Sequence, residues 1–336
     1  MTDILANGHW LPLTFAALMG LAMLIYAVLD GYDLGVGILM PLTDDAEQDR
    51  MIASIGPFWD ANETWLVLGV GLLLVAFPAA HGVILTNLYL PVAIMLLGLI
   101  MRGVAFDFRA KAHSNQKHLW NHTFFAGSLI AAWAQGFMLG DYILGFAEGW
   151  TAFMFALFVG ACIVAGYALV GASWLIMKAD GALQRRAVDW AQMASWGMVL
   201  GIILISITTP LVSTRIFDKW FSLPNVLVLA PIPLITGVLV LILERMLRQL
   251  PLPGDRLCWA PFAITVAIFT LCFLGLAYSF YPFIVPERMT IVDSAAAPES
   301  LMIILAGAAV VMPLLLVYTV VAYRIFRGKA RDLTYD

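Results

Sequence analysis

The chain has 336 residues, of which 62% are hydrophobic and only 12% are charged. An average soluble domain is about half apolar and about a quarter charged, so this composition excludes a soluble globular fold and a disordered chain. The 18 basic and 22 acidic residues give a formal net charge of −4, which excludes nucleic-acid binding as the main role. The composition therefore predicts a protein that crosses a membrane several times.

Nine stretches of the sequence are apolar and long enough to cross a membrane, since a spanning helix needs about 20 mostly apolar residues. A β-barrel would instead show short segments of alternating hydrophobicity. The pattern predicts an all-α polytopic membrane protein that forms a single integral membrane domain over residues 1–336. The stretches lie near residues 11–41, 52–77, 82–101, 119–139, 150–177, 191–212, 223–243, 257–282 and 301–323.

Lysine and arginine are distributed unevenly over the segments between these stretches. If the N-terminus lies outside, the inner loops and the C-terminal tail hold 15 of the 18 basic residues, and the outer loops hold three. Cytoplasmic loops of membrane proteins carry this excess of positive charge. The bias predicts that the N-terminus lies outside the cell and that the C-terminus lies in the cytoplasm.

Four carboxylates interrupt the first two apolar stretches. Asp30 and Asp33 lie in the first stretch, at an i, i+3 spacing that places both side chains on one helix face. Asp60 and Glu63 have the same spacing in the second stretch. A charged side chain at the membrane centre costs about 2.5–3.5 kcal/mol. These groups must therefore be protonated, paired, hydrated or close to an interface.

The two acidic pairs are predicted to lie at one depth. About 30 residues of helix measure about 45 Å, more than a hydrocarbon core of about 30 Å, so both pairs fall in the inner third of their stretches. Arg102 ends the third stretch at the inner face, and Asp107 follows it. Six ionisable groups at one level predict a hydrated pocket open to the cytoplasm, as proton uptake requires. We expect Asp33 and Asp60 to be its more buried pair, because apolar sequence follows each of them.

The same residues allow other interpretations. Acids near an interface can extend to water or pair with Arg102, and the G-x-x-x-G spacing of Gly31 and Gly35 is typical of close helix packing. The alternative function is a secondary transporter that uses the acidic cluster as a proton or cation site. Such sites lie near the membrane midplane, however, and no internal repeat is visible in the sequence.

Ligands for a haem or another metal are scarce in the apolar stretches. The five histidines lie outside these stretches or near their ends, whereas membrane haem proteins usually present axial histidines from within a helix. The three cysteines, Cys162, Cys258 and Cys272, lie in apolar runs without a C-x-x-C motif, which favours buried free thiols. We therefore expect no cofactor and no metal in this chain.

Four segments carry the signature of a known family. Residues 27–37 read AVLDGYDLGVG, and residues 57–65 read PFWDANETW. Residues 102–109 read RGVAFDFR, and residues 281–301 form the last outer loop and the start of the last stretch. Together these segments resemble subunit II of the cytochrome bd-type quinol oxidases, and ANET at residues 61–64 is similar to their cyanide-insensitive branch. The resemblance runs nearly from end to end.

The resemblance implies a fold of two four-helix bundles plus one peripheral helix in the bacterial cytoplasmic (inner) membrane, with the N-terminus in the periplasm. It implies a partner, subunit I, that holds two haems b and one haem d, or a third haem b, and that oxidises ubiquinol or menaquinol. The complex would reduce dioxygen to water and generate a membrane potential, taking its protons from the cytoplasm. A small single-span third subunit and a bound lipid or quinone are left open.

The resemblance also assigns roles to individual residues. Asp60 and Arg102 match family positions on one proposed proton route near the subunit interface, and Asp107 matches a position on the other route. Trp65 matches a tryptophan near a proposed oxygen entrance. Glu63 stands where some relatives carry glutamine.

Asp33 matches an acidic position in the family signature whose role is less settled than that of the other acids. Taken with the acidic pairs found from the residues alone, the resemblance predicts a proton path in this chain. The path comprises Asp30, Asp33, Asp60, Glu63, Arg102 and Asp107.

Overall fold

The structure, a computed structural model, describes residues 9–330 apart from the side chains of residues 114 and 115. Within this range, eight helices are long and apolar enough to cross a membrane, and a ninth span results if one bent pair of helices counts as a single span. The helical class is therefore confirmed, and the eight or nine candidate spans agree with the nine predicted stretches.

The elements follow one another in a simple order. In the described part of the chain the helices are α1 Trp10–Leu39, α2 Asp45–Ile55, α3 Trp59–Ala76, α4 Pro78–Lys111, α5 Ser114–Ile143, α6 Trp150–Lys178, α7 Gly181–Val212, α8 Thr214–Phe221, α9 Asn225–Leu229, α10 Pro231–Leu247, α11 Ala260–Phe280 and α12 Pro298–Ile325. Short 3-10 turns, Met40–Leu42 and Pro253–Asp255, follow α1 and α10. Between α11 and α12, the strands β1 Phe283–Val285 and β2 Met289–Thr290 form an antiparallel hairpin.

The long helices pack as two groups of four with one further helix at the side. The first bundle contains α1, α3, α4 and α5, and the second contains α6, α7, α10 and α11. Helices α1 and α6 join the bundles, and α12 packs against α1 and α3. The arrangement of two four-helix bundles plus one peripheral helix is the one implied by the family resemblance.

Small residues allow the two bundles to meet closely. A Cβ placed at Gly35 of α1 would lie 1.8 Å from the carbonyl oxygen of Tyr167 of α6, and Gly171 lies opposite the same segment. Gly31 faces the Tyr167 ring, where a Cβ would lie 2.8 Å from a ring carbon. The close packing indicated by the glycine spacing is therefore present, so α1 both joins the bundles and carries the first acidic pair.

The second predicted stretch is not one continuous helix. It is divided into α2 and α3, which are bent by 51° at a short break. Pro57 lies in this break and has no backbone N–H to continue a helical ladder. The helix axis therefore changes direction where α3 begins, one residue before Asp60.

Two further boundaries differ from the prediction. Helix α4 runs to Lys111, so Arg102 lies nine residues before its end, about 14 Å along the axis. The prediction that the third span ends at Arg102 is therefore wrong. Residues 102–118, which lie between the third and fourth predicted stretches, are helical except for the short connection to α5. The short helix α8 and the hairpin β1–β2 were not predicted either.

Ion pairs fix the short helix α2 between the bundles. The Asp49 carboxylate contacts Arg109 of α4 and lies 2.7 Å from Nζ of Lys117 of α5. Glu47 Oε2 lies 2.8 Å from Nη1 of Arg186 of α7. These contacts hold the break between α2 and α3 in place at the end of the bundle where α4 ends and α7 begins, which we call the basic end.

At the basic end, the C-terminus of α12 and the residues after it contact the last residue of α6 and the connections after α6 and α10. Lys178 Nζ donates to the Phe326 carbonyl oxygen at 2.7 Å. Lys329 Nζ lies 2.5 Å from the Asp255 carboxylate and donates to the Ala179 carbonyl oxygen at 2.7 Å. Burial opposes ionisation of Asp255, but hydrogen bonds from Lys329 and Gln184 outweigh it and hold the pKa of Asp255 below its usual value.

We expect Lys329→Met to lower the stability of the assembled protein by about 1 kcal/mol or less, because the ion pair with Asp255 is partly exposed. A carboxyl whose pKa is depressed on folding stabilises the protein above its unfolded pKa, and loses that effect as the pH falls through the folded pKa. The difference in melting temperature should therefore be present at neutral pH and vanish in acid. Arg327→Met, at an exposed neighbour, serves as the control and should melt like the parent at both pH values.

Candidate functional site

A fully buried ion pair lies inside the first bundle. Nη1 of Arg102 on α4 lies 2.6 Å from Oδ1 of Asp30 on α1, and both side chains are 0% exposed. Nη2 of Arg102 contacts Glu63 on α3, whose side chain is 28% exposed. One guanidinium is thus shared by carboxylates from two other helices. Such pairing offsets part of the cost of removing the charges from water.

The local sequence explains why three helices can converge on Arg102. Gly98 of α4 and Gly127 of α5 meet backbone to backbone, and a Cβ at Gly127 would lie 2.8 Å from the backbone nitrogen of Arg102. This close approach leaves the arginine side chain directed towards α1 and α3. Trp59 and Glu63 are one turn apart on α3, so both face the guanidinium. The Trp59 ring centroid lies 6.0 Å from Arg102 Cζ.

A second polar group surrounds Asp33. The Asn62 amide nitrogen donates to Asp33 Oδ2 at 2.8 Å and to the Tyr32 hydroxyl at 2.9 Å. The Tyr323 hydroxyl of α12 donates to Asn62 Oδ1 at 3.2 Å and lies 2.5 Å from the Tyr32 hydroxyl. Asp33 and Asn62 are both buried. This group connects the first acidic helix to α3 and to the peripheral helix.

Further polar side chains extend the network towards the junction of the bundles. Gln135 of α5 donates through Nε2 to the Tyr26 hydroxyl at 2.8 Å, and the Tyr167 hydroxyl donates to Gln135 Oε1 at 2.7 Å. Tyr26 lies one turn before Asp30 on α1, on the same helix face. Polar groups therefore continue past the ion pair and along α1 in the direction away from the basic end.

The structure unites only part of the predicted path. Asp30, Glu63 and Arg102 are in contact, and Asp33 lies beside them. The expectation that Asp33 and Asp60 are the more buried pair is wrong, because Asp30 is 0% exposed whereas Asp60 is exposed. Asp60 is the second residue of α3, and the new helix direction after the break turns Asp60 outward while Glu63 faces Arg102.

Two other predicted residues lie apart from the ion pair. Asp107 is exposed on α4, close to the basic end of that helix. Trp65 is 2% exposed and packs in a cluster that includes Tyr26 of α1 and Met312 of α12. Asn62, Tyr32 and Tyr323 were not predicted. A signal for Asn62 was available, because it lies between two predicted acids in the same motif.

The charged groups of this network are carboxylates, and Arg102 and Asn62 engage them. Among residues 9–330, no group of three or more His, Cys, Asp and Glu side chains is placed to hold a metal ion. The chemistry that the network can perform is the binding and exchange of protons.

The fold and the site define a class of protein: a polytopic helical membrane subunit with a buried carboxylate–arginine network. A family model described as "Cytochrome bd terminal oxidase subunit II" matches residues 11–326, and the chain belongs to this family. It is therefore a subunit of a quinol oxidase complex of the bacterial inner membrane, in which redox chemistry takes place in the partner subunit.

Relatives and a solved structure agree with this assignment. Cytochrome bd-I ubiquinol oxidase subunit 2 of Escherichia coli (strain K12) is 25% identical over 352 residues, and the alignment covers 91% of each chain. Cytochrome bd ubiquinol oxidase subunit 2 of Bacillus subtilis (strain 168) is 41% identical over 120 residues, which cover 35% of this chain and 36% of the relative.

The structural comparison shows the fold. The bd oxidase structure from Geobacillus thermodenitrificans contains a chain that matches with a TM-score of 0.79 at 18% identity, covering 94% of this chain and 98% of that one. The family resemblance and the predicted helical membrane fold are thus confirmed. Membership of this family favours the oxidase subunit over the alternative of a secondary transporter.

Proposed function

We propose that this chain is the haem-free subunit that holds subunit I in the membrane and leads protons from the cytoplasm towards it for the reduction of dioxygen to water. The observation that carries the proposal is the buried Arg102, shared by Asp30 and Glu63. In this proposal the haems b, the haem d or third haem b, and the site for ubiquinol or menaquinol all belong to subunit I.

The ion pair has the connections that proton uptake needs. Glu63 is partly exposed and shares Arg102 with the fully buried Asp30, so one carboxylate can exchange protons with water while the other is sheltered. Arginine stays protonated in proteins. Arg102 therefore stabilises the ionised form of the carboxylates, and the protons move between the carboxylates and nearby water. The excess of Lys and Arg at the basic end supports a cytoplasmic position for the entrance.

The exposed acids of α3 and α4 indicate where subunit I docks. Asp60 and Asp107 are exposed on helices whose other exposed residues include Val67 and Val104. Ionised carboxylates are unfavourable where a helix surface faces lipid. A polar surface of subunit I removes that cost, and it would also extend the proton route across the interface.

Asp30→Asn tests the proton role. We expect quinol-dependent oxygen uptake to fall about tenfold or more, since loss of a proton-transferring group commonly costs that much. Asparagine keeps the shape of the side chain, and Glu63 still pairs with Arg102, so the complex should assemble with normal haem spectra. Asp189→Asn, at an exposed residue of α7, is the matched control and should respire normally.

Asp60→Asn measures the contribution of the exposed acid separately. If both Asp30→Asn and Asp60→Asn respire at the parental rate with unchanged haem spectra, these acids do not conduct protons. If the haem spectra are lost instead, the acids support assembly, and the role in proton transfer is withdrawn.

A further inference from the structure

Asn62 occupies a central position that the proton path as proposed does not use. Its amide nitrogen donates to Asp33 and to the Tyr32 hydroxyl, and its amide oxygen accepts from the Tyr323 hydroxyl. The side chain is 1% exposed. Since both ends of the amide are engaged, the nitrogen is held towards the carboxyl group of Asp33 and cannot turn away without losing several hydrogen bonds.

Asp33 depends on this one amide. Its Oδ2 accepts from Asn62 at 2.8 Å, whereas its Oδ1 has no hydrogen-bond partner among the side chains and backbone of the described residues. Buried polar atoms are normally hydrogen-bonded. Within residues 9–330, Asn62 is thus the single donor to the Asp33 carboxyl group, one helical turn from the Asp30–Arg102 pair.

Aromatic packing fixes the two phenols that hold Asn62. The Tyr323 ring stacks on Phe58 with centroids 4.4 Å apart, and the Tyr32 ring stacks on Trp174 with centroids 4.2 Å apart. The hydroxyl groups lie 2.5 Å from each other. Tyr323 belongs to α12, which has few buried residues. The hydroxyl of Tyr323 is therefore the link by which the peripheral helix reaches the acidic network.

We propose that Asn62 is a positioning residue of the proton path: its amide orients Asp33, and Tyr323 makes that orientation depend on the docking of α12. The inference rests on the proposed function, because Asp33 must carry protons for its orientation to affect turnover. It goes beyond that function because it assigns the orientation of Asp33 to the uncharged Asn62 and to α12, which lies outside both bundles.

Charged and titratable groups face Asp33 from several helices. They are Asp30 and Tyr32 on α1, Glu63 on α3, Arg102 on α4 and Tyr323 on α12. A substitution at Asn62 leaves the carboxylates and Arg102 in place, and it removes the hydrogen bonds of Tyr32 and Tyr323 together with that of Asp33. A change in the pH profile on such a substitution therefore reports the lost amide.

The test is the pH dependence of quinol-dependent oxygen uptake by the purified complex, together with its haem content. Asn62→Leu has nearly the same volume and cannot donate, so the anionic form of Asp33 loses its donor. We expect the whole profile to move to higher pH by about one unit, the equivalent of one hydrogen bond to a charged group. Asn62→Ser, which keeps a hydroxyl donor, should restore part of the shift.

Tyr323→Phe tests the link to α12, since it removes one hydroxyl and keeps the ring that stacks on Phe58. We expect a smaller shift in the same direction. Tyr318→Phe, on the same helix and 58% exposed, is the matched control and should leave the profile in place. A purely structural role for Asn62 would lower the rate by the same factor at every pH.

Failure of this inference can be told from failure of the proton path. If Asp33→Asn lowers turnover while Asn62→Leu leaves the pH profile in place, Asn62 does not position Asp33, and the path stands. If Asp33→Asn itself leaves turnover and profile unchanged, Asp33 is not part of the path, and the inference falls with it. If Tyr323→Phe alone leaves the profile in place, the dependence on α12 is wrong.

Discussion

Replacing Arg102 by methionine should prevent the complex from accumulating in the membrane. The substitution keeps a long apolar side chain but removes the cation that Asp30 and Glu63 share. Asp30 would be left fully buried without a positive partner, and breaking a buried ion pair in this way costs about 3–5 kcal/mol. A loss of this size is a large part of the net stability of a folded domain, which is about 5–15 kcal/mol. The measurement is the amount of haem-containing complex per unit of membrane protein.

The double substitution Asp30→Asn with Arg102→Met separates charge from packing. It removes the cation and its closest anion together, so we expect partial recovery of the complex but no recovery of oxygen uptake. Arg248→Met removes an exposed arginine that pairs with Glu244 at an i, i+4 spacing, and it should have little effect. Full accumulation of Arg102→Met alone would show that Asp30 is not held by this pair.

The sequence predicted which charged residues form the acidic network, but it predicted only part of how they are arranged. The spacing of Asp30 and Asp33 placed both on one helix face, and hydrophobic context alone implied that they need partners. Their pairing is set by a different helix: α4 continues past Arg102 because nothing in residues 103–111 ends a helix. The apolar run ends before Arg102, but the helix does not. Arg102 can lie inside the helix because neighbouring helices cover its charge.

The orientation of the second acidic pair could not be derived from spacing. Asp60 and Glu63 are one turn apart, yet Asp60 is exposed and Glu63 faces Arg102. The break at Pro57 sets the direction in which α3 starts, and that direction depends on how α2 is held by ion pairs to other helices. Asn62 was missed although it lies in the same motif, because an amide carries no formal charge that would mark it as needing a partner.

The glycine spacing on α1 leads to the second large effect. We expect Gly35→Ala to destabilise the complex strongly, because a Cβ there would lie 1.8 Å from the Tyr167 carbonyl oxygen and 3.0 Å from the Gly171 Cα. These are backbone atoms, so no side chain can rotate to make room, and α1 and α6 must separate. Overpacking costs about 1–3 kcal/mol when side chains can adjust, and a contact between two backbones should exceed that range.

Gly71→Ala is the matched control for this substitution. Gly71 lies in α3, and a Cβ there would meet no atom within 4 Å, so the variant should be as stable as the parent or slightly more stable. Alanine is favoured over glycine within a helix by roughly 0.5–1 kcal/mol. The same chemical change thus has opposite expected signs at two positions, as measured by loss of haem absorbance on heating. Equal melting of both variants would mean that α1 and α6 do not meet backbone to backbone, and that Asp30 is carried by a helix free to move relative to the second bundle.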